Sequence, residues 1–239
     1  MQHSEQHVVQ GTCAAIIVAA GSSRRMAGHD KLWIPLAGRL TLCHTIDVFE
    51  ASPLVQRIIL VLNSERIQDA RALCEQEGWQ KLAAIVSGGA RRQDSVRNGL
   101  DALAAIAPDT HWVMIHDGAR PLVTATILEA GLQTAQAHHA AIAAVPLKDT
   151  VKHVQDGYVV GTIDRSQHWA VQTPQVFSFP LIYEAHHSPE AEEEATDDAA
   201  LLERKGARVA IFPGAYTNIK ITTQEDILVA EALLRGLQR

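Results

Sequence analysis

Residues Ala14 to Trp33 read AAIIVAAGSSRRMAGHDKLW, and the break in the middle of that stretch decides the fold. Ala14-Ala15-Ile16-Ile17-Val18 has the branching and apolar character of a strand buried on both faces. The chain then turns through Gly21, Ser22 and Ser23 into Arg24, Arg25 and Lys31. Open α/β sheets bind ligands beyond the carboxyl ends of their strands. Small residues let the backbone come close and offer N–H donors, and the three cations supply charge, so a polyanionic ligand fits. A solvated turn with ordinary surface arginines fits the same letters, and the pattern alone does not separate the two. The stretch lacks both G-x-x-x-x-G-K-[ST] and G-x-G-x-x-G, which sets aside a P-loop and a dinucleotide fingerprint.

Outward from this stretch, strand-like and helix-like runs alternate. Arg57–Leu62, Ala83–Ser87, Trp112–Ile115, Ala140–Val145 and Arg208–Phe212 read as further strands. Between them, Thr41–Ser52, a segment capped by Ser64 and ending near Glu77, one opening at Asp94 or Ser95, and Thr124–His138 read as helices. Thr223 caps a last helix with Asp226 at its capping-box position. Such alternation predicts right-handed crossovers and an α/β fold, a Rossmann-like, mostly parallel sheet flanked by helices, in a single domain over 1–239.

Composition narrows the function. No apolar run approaches the roughly 20 residues that span a bilayer, and residues 1 to 11 are polar and histidine-bearing without a signal-peptide core, so a cytoplasmic, membrane-free protein is expected. Cys13, Cys43 and Cys74 are isolated, which speaks against a disulfide framework or a zinc knuckle. The pairs His138-His139 and His186-His187 read as surface. A net charge of −6 argues against nucleic acid as a partner. Yet cations recur at loop and strand ends, at Arg24, Arg25, Lys31, Arg91, Arg92, Arg120, Arg165 and Lys220. If those loops converge, they form a local basic pocket for an anionic small molecule.

Several later stretches carry chemistry. Gly88-Gly89 opens a second glycine turn before a helix, whose first N–H groups favour anions, although a plain N-cap explains Asp94 and Ser95 equally well. Gly99 inside that helix costs about 1 kcal/mol relative to alanine, which predicts close packing there. Asp117, after a buried strand, suits Mg²⁺, which takes one or two carboxylates plus phosphate oxygens; capping the turn or pairing with Arg120 is the alternative. Pro146–Val154 and Tyr158–Val160 flank Asp156-Gly157, a hairpin signal. A projecting two-stranded arm at about 148–172 is unlikely to stand alone, so it is expected to pack on a partner subunit. Pro189–Glu194 reads as a solvated acidic loop, and Thr196-Asp197-Asp198 as the cap of a short helix. Lys220, between Ile219 and Ile221, must leave its layer or find an anion.

In order along the chain stand A-A-G with its basic turn, G-G-x-x-R-x-x-S-V at Gly88–Val96, H-D-[AG]-A-R-P at His116–Pro121, T-D-[DE]-A at Thr196–Ala199 and N-[IL]-K-[IV]-T at Asn218–Thr222. From about Cys13 to the C-terminus this series resembles the 2-C-methyl-D-erythritol 4-phosphate cytidylyltransferase family, nucleotidyltransferases of the non-mevalonate isoprenoid pathway. The resemblance implies a nucleotide-diphospho-sugar transferase type of fold, CTP and 2-C-methyl-D-erythritol 4-phosphate as substrates, Mg²⁺, and a homodimer joined through the β-arm. It implies catalytic roles for Arg25, Lys31, Arg165 and Lys220, and nucleotide contacts at Ala19, Ala20, Gly21, Gly89, Ser95 and Gly118. It further implies acceptor contacts at Arg120, Thr150, Arg165 and Thr173, with Thr150 and Arg165 delivered to the neighbour's site, and a metal ligand in Asp117. For Thr173 an ordinary β-arm residue is as good a reading. Two departures stand out: Ser23 where a glycine is common, and His29-Asp30 where a proline usually precedes the lysine. A sister cytidylyltransferase acting on a sugar-alcohol phosphate such as ribitol 5-phosphate, or one domain of a bifunctional fusion, is the nearest competitor, ahead of a nucleotide-binding regulator without turnover and an NAD-dependent oxidoreductase.

Overall fold

The computed structural model describes residues 11–21 and 30–237. Its centre is a seven-stranded sheet of β1 (Cys13–Ala19), β4 (Arg57–Leu62), β5 (Leu82–Ser87), β6 (Trp112–Asp117), β7 (Ala140–Pro146), β10 (Trp169–Ser178) and β11 (Ala210–Pro213), in the order β11-β7-β10-β6-β1-β4-β5. Two strands, β2 (Pro35–Leu36) and β3 (Arg39–Leu40), form a small separate pair. Strand β1 pairs in parallel with both β4 and β6, so the opening stretch of the sequence lies in mid-sheet. Its residues alternate between two cores, as burial on both faces requires. Ala15 and Ile17 meet α1 (Thr41–Ala51), α2 (Ile67–Glu77) and α4 (Ala125–His138) on one side. Ala14 and Ile16 meet α3 (Arg92–Ile106), α5 (Phe179–His186) and α6 (Ala199–Arg204) on the other. A smaller cluster of Leu36, Leu122, Ile221 and Ala230 seats α7 (Gln224–Leu237).

Gly99 packs as its cost predicts. A Cβ there would stand 2.7 Å from Ile16 Cγ2 and 3.0 Å from Val61 Cγ2, so glycine lets α3 lie directly on β1 and β4. No helix among the described residues is long and apolar enough to cross a membrane.

The structure corrects several expectations. Strand β10, antiparallel between β6 and β7, has no counterpart in the sequence reading. Pro174 removes a ladder donor there, and the strand tolerates it because the register against β7 shifts between Val171 and Gln175. Helix α3 opens at Arg92 rather than at Asp94 or Ser95: Asp94 reaches back to accept from the Arg91 N–H at 3.0 Å. Asn63, not Ser64, caps the turn ahead of α2. His186 is 1% exposed, not surface, because α5 turns it under the sheet. The acidic segment after Pro189 is solvated as expected, its glutamates exposed, but its backbone is anchored. Gln93 donates to Ala191 O and accepts from Ala195 N, and Arg204 donates to the carbonyls of Glu190, Glu193 and Glu194.

The hairpin forms where Asp156-Gly157 predicts it. Strands β8 (Lys152–Gln155) and β9 (Tyr158–Thr162) pair antiparallel around Asp156 and Gly157, both at positive φ. Val154, Tyr158, Val159 and Val160 are each more than half exposed.

Candidate active site

The carboxyl ends of β1 and β6, the Gly88-Gly89 turn and the segment at Lys220 meet around two adjoining cavities. The first, about 370 Å³, is lined by Ala19, Ala20, Gly21, Lys31, Gly89, Arg91, Arg92, Ser95, Asp117 and Lys220. The second, about 270 Å³, is lined by Arg92, Asp117, Arg120, Gln172, Thr173, Gln175, Thr196, Asp197 and Lys220. Arg92, Asp117 and Lys220 therefore border both. The predicted convergence of cations holds for Lys31, Arg91, Arg92, Arg120 and Lys220. Arg24 and Arg25 lie outside the described residues.

The walls of the first cavity are set by small residues. A Cβ on Gly88 would overlap Ala20 Cβ, and one on Gly89 would overlap Asp94, so only glycine brings this turn against the end of β1. Ser95 Oγ accepts from the Gly89 N–H at 3.1 Å and donates to Arg91 O at 3.2 Å, which holds the turn on α3. Gly118 lies behind this wall, its N–H donating to Val18 O and a Cβ position 3.1 Å from Ala19 Cβ.

Asp117 is the electrostatic centre. Lys220 Nζ lies 2.8 Å from its Oδ2, Arg92 Nε 3.4 Å from its Oδ1 and Arg120 Nε 3.7 Å from its Oδ2. Burial would push its carboxyl up, but Arg92, Lys220 and Arg120 more than reverse this and hold it well below the ordinary range. Lys220 thus finds its anion. Ile221 is buried, its N–H donates to Ala119 O, and Asn218 accepts from Arg120 through its carbonyl at 2.8 Å; together these turn the lysine toward β6.

The turn after β6 is locked from behind. Burial pushes the His116 imidazole down to about 4, so the ring is neutral near pH 7. The Asp117 N–H donates to Thr173 Oγ1 at 3.0 Å, and that hydroxyl bonds His116 Nδ1 at 3.1 Å, which leaves Nε2 to donate to Arg120 O at 3.2 Å. Thr173 lines the second cavity, yet its hydroxyl is engaged by this chain of bonds.

Thr150 and Arg165 are not brought to these cavities. Both are exposed on the arm, and Arg165 donates to Lys148 O at 2.5 Å. Arg92 and Asp198, given no catalytic or binding role from the sequence, belong to the ion-pair network of the site. Arg92 Nη1 stands 2.8 Å from Asp198 Oδ2, and His186 Nε2 stands 3.2 Å from Asp198 Oδ1. The sequence marked both, Arg92 in G-G-x-x-R-x-x-S-V and Asp198 in T-D-[DE]-A, but not that they pair.

The donor set fits a divalent cation of one kind. Among the described residues, Asp117 is the only carboxylate lining the first cavity, and no group of three or more His, Cys, Asp or Glu could cage a metal. Such a site suits a hard divalent cation arriving with phosphate oxygens that complete its shell.

The IspD family, described as 2-C-methyl-D-erythritol 4-phosphate cytidylyltransferase, matches residues 13–236. A protein of that name from Dehalococcoides mccartyi is 48% identical over 92% of this chain and 95% of its own. One from Halalkalibacterium halodurans is 43% identical over 95% of this chain and 98% of its own. The solved structure of 4-diphosphocytidyl-2C-methyl-D-erythritol synthase from Anaerococcus prevotii superposes with a TM-score of 0.82 at 33% identity, covering 94% of this chain and 96% of that one. The Thermus thermophilus cytidylyltransferase structure gives a TM-score of 0.75 at 31% identity, over 93% and 98%.

Proposed function

The chain belongs to the 2-C-methyl-D-erythritol 4-phosphate cytidylyltransferase family, and on that premise we propose how its own residues carry out the transfer. It moves CMP from CTP to 2-C-methyl-D-erythritol 4-phosphate, giving 4-diphosphocytidyl-2-C-methyl-D-erythritol and pyrophosphate for isoprenoid precursors. The observation that carries this reading is the shared border of the two cavities: Arg92, Asp117 and Lys220 face both. CTP occupies the first cavity and the acceptor the second, so their phosphates meet at that border.

An acceptor phosphate oxygen attacks the α-phosphorus of CTP, forming one P–O bond as the bond to the bridging oxygen of the β-phosphate breaks and pyrophosphate leaves. The difficulty is repulsion between two polyanions, and preorganised cations answer it without reorganising during the step. Arg25 and Lys31 neutralise the triphosphate, Lys220 faces the α-phosphate, and Arg120 takes the acceptor phosphate. Ala19, Ala20, Gly21 and Gly89 let the backbone approach the nucleotide, while Ser95 and Gly118 support that wall. No general base is required, because a phosphate monoester is ionised near pH 7. Members of this family use a divalent cation; here Mg²⁺ on Asp117 would draw off charge from the phosphates.

The protein acts as one domain, in the cytoplasm, and as a homodimer. Each β-arm embraces the partner subunit and presents Thr150 and Arg165 to its acceptor site. The exposed apolar side chains of the arm support this. The test is pyrophosphate release from CTP and Mg²⁺, with 2-C-methyl-D-erythritol 4-phosphate and ribitol 5-phosphate offered separately and Lys31→Ala as control. Release with the first acceptor alone, lost in the variant, is the expected result. Release with ribitol 5-phosphate moves the protein to the sister activity, and silence with both in folded dimer removes the enzymatic reading.

A further inference from the structure

Three cations, Arg92, Arg120 and Lys220, surround the one carboxylate of Asp117. Positive charge is thus in excess at the place where a dication must come. A fully buried second carboxylate, Asp198, stands on the far side of Arg92, and Arg92 is closer to it, at 2.8 Å, than to Asp117, at 3.4 Å.

We propose that Asp198 sets the cation affinity of Asp117: by sharing Arg92 it keeps that guanidinium from closing on Asp117 and offsets part of the surplus positive charge. The inference rests on the assignment of Asp117 to the metal.

Asp198 is not needed for the helix that it begins. It occupies the N-cap position of α6 without a side-chain cap bond, and the neighbouring Asp197 accepts from the Ala200 N–H at 3.0 Å instead. A buried charge retained without a local structural duty is a poor contributor to stability, which points to a role in positioning. His186 flanks the carboxylate on its other side. It lies 3.2 Å from Asp198 Oδ1 while Arg92 Nη1 lies 2.8 Å from Oδ2, so the carboxylate sits between the two side chains. Burial would also favour a neutral Asp198, and Arg92 and His186 outweigh it, so the offsetting charge persists near pH 7. Asp198 is a positioning residue in this arrangement, acting on the cation through Arg92.

The experiment is a Mn²⁺ titration of the full chain with CTP and no acceptor, read by electron paramagnetic resonance, with folding checked by near-ultraviolet circular dichroism. Wild type should bind Mn²⁺ beyond what CTP alone binds, and Asp117→Asn should abolish this. Asp198→Asn should weaken Mn²⁺ by on the order of tenfold, within the coupling seen for residues of one ion-pair network. Arg92→Gln/Asp198→Asn should return the affinity to within about threefold of wild type, because both members of the offsetting pair are gone. Folded Asp198→Asn that binds like wild type, or a double variant as weak as the single one, would overturn the proposal while leaving Asp117 assigned. Should Asp198→Asn not fold, the double variant carries the test: Mn²⁺ binding about tenfold weaker than wild type overturns the proposal. A wild type with no Mn²⁺ site removes the Asp117 assignment and this inference with it.

Discussion

The cleft beyond β6 and the arm beyond β7 hold their functional side chains in opposite ways. In the cleft, Arg92, Asp117, Arg120 and Lys220 answer one another's charge within a single chain, across elements far apart in sequence. In the arm, Thr150 and Arg165 are exposed, and the apolar residues around them face outward. The arm's root is nevertheless fixed. Lys148 Nζ sits 3.3 Å over the Tyr216 ring, the Tyr216 hydroxyl donates to Pro146 O, and the Leu147 N–H donates to His168 O. The arm thus leaves apolar side chains exposed, whereas the charged groups of the cleft pair with one another inside one chain.

The largest effect should come from the cleft. Lys220→Ala is expected to cut pyrophosphate release on the order of 100-fold or more, as removal of a preorganised transition-state cation does. Turnover within a few-fold of wild type would show that the cavities' common border is not the reaction centre. Arg165→Ala should cost roughly tenfold to 100-fold by the same reasoning, and it separates the two regions. If the arm acts on the partner's cleft, mixing inactive Lys220→Ala and Arg165→Ala chains after dissociation restores about a quarter of wild-type activity, since half the dimers then hold one intact site. No recovery would mean that the arm serves its own chain.

Stability sharpens the same contrast on a smaller scale. Gly99→Ala drives a methyl into Ile16 and Val61 and should cost about 1–3 kcal/mol in urea unfolding. Gly161→Ala on the arm has nothing closer than His153 Cβ at 3.9 Å and should change stability by less than about 0.5 kcal/mol. An equal loss at both sites would mean that the arm packs as the body does.

The smallest effect is one of pH. Asp198 has a folded-state pKa below its unfolded value, so the stability it contributes is full above the unfolded value, near 4, and is lost as pH falls through the folded one. Between pH 6 and pH 4 only the beginning of that loss is reached. Wild type should weaken slightly more than Asp198→Asn over this range, and identical slopes would show that Asp198 is not held ionised by Arg92.

Most of the sheet was legible because β1, β4, β6 and β7 are apolar runs whose burial needs no partner in particular. Strand β10 was not. Gln172, Thr173 and Gln175 do not form an apolar run, and each is satisfied by a distant group: Gln172 by Ala215, Thr173 by the Asp117 N–H and His116, Gln175 by Asp197. His186 failed for the same reason, since its partner is Asp198 on another helix. Within the cleft, motif spacing pointed to Lys31, Asp117, Arg120 and Lys220, while the pairing of Arg92 with both Asp117 and Asp198 carried no local sign.

By itself the sequence determined the strand–helix alternation, the turns that need glycine, the hairpin and the kinds of residue that meet a polyanion. These follow from side-chain size, periodicity and backbone freedom over a few neighbours. Only the tertiary structure decided which cations share which carboxylate, that a proline-bearing strand runs through mid-sheet, and that the arm stands clear of its own cleft. Those outcomes depend on distances between residues remote in the chain, where burial raises the energy of every unpaired charge and leaves few arrangements that satisfy them all.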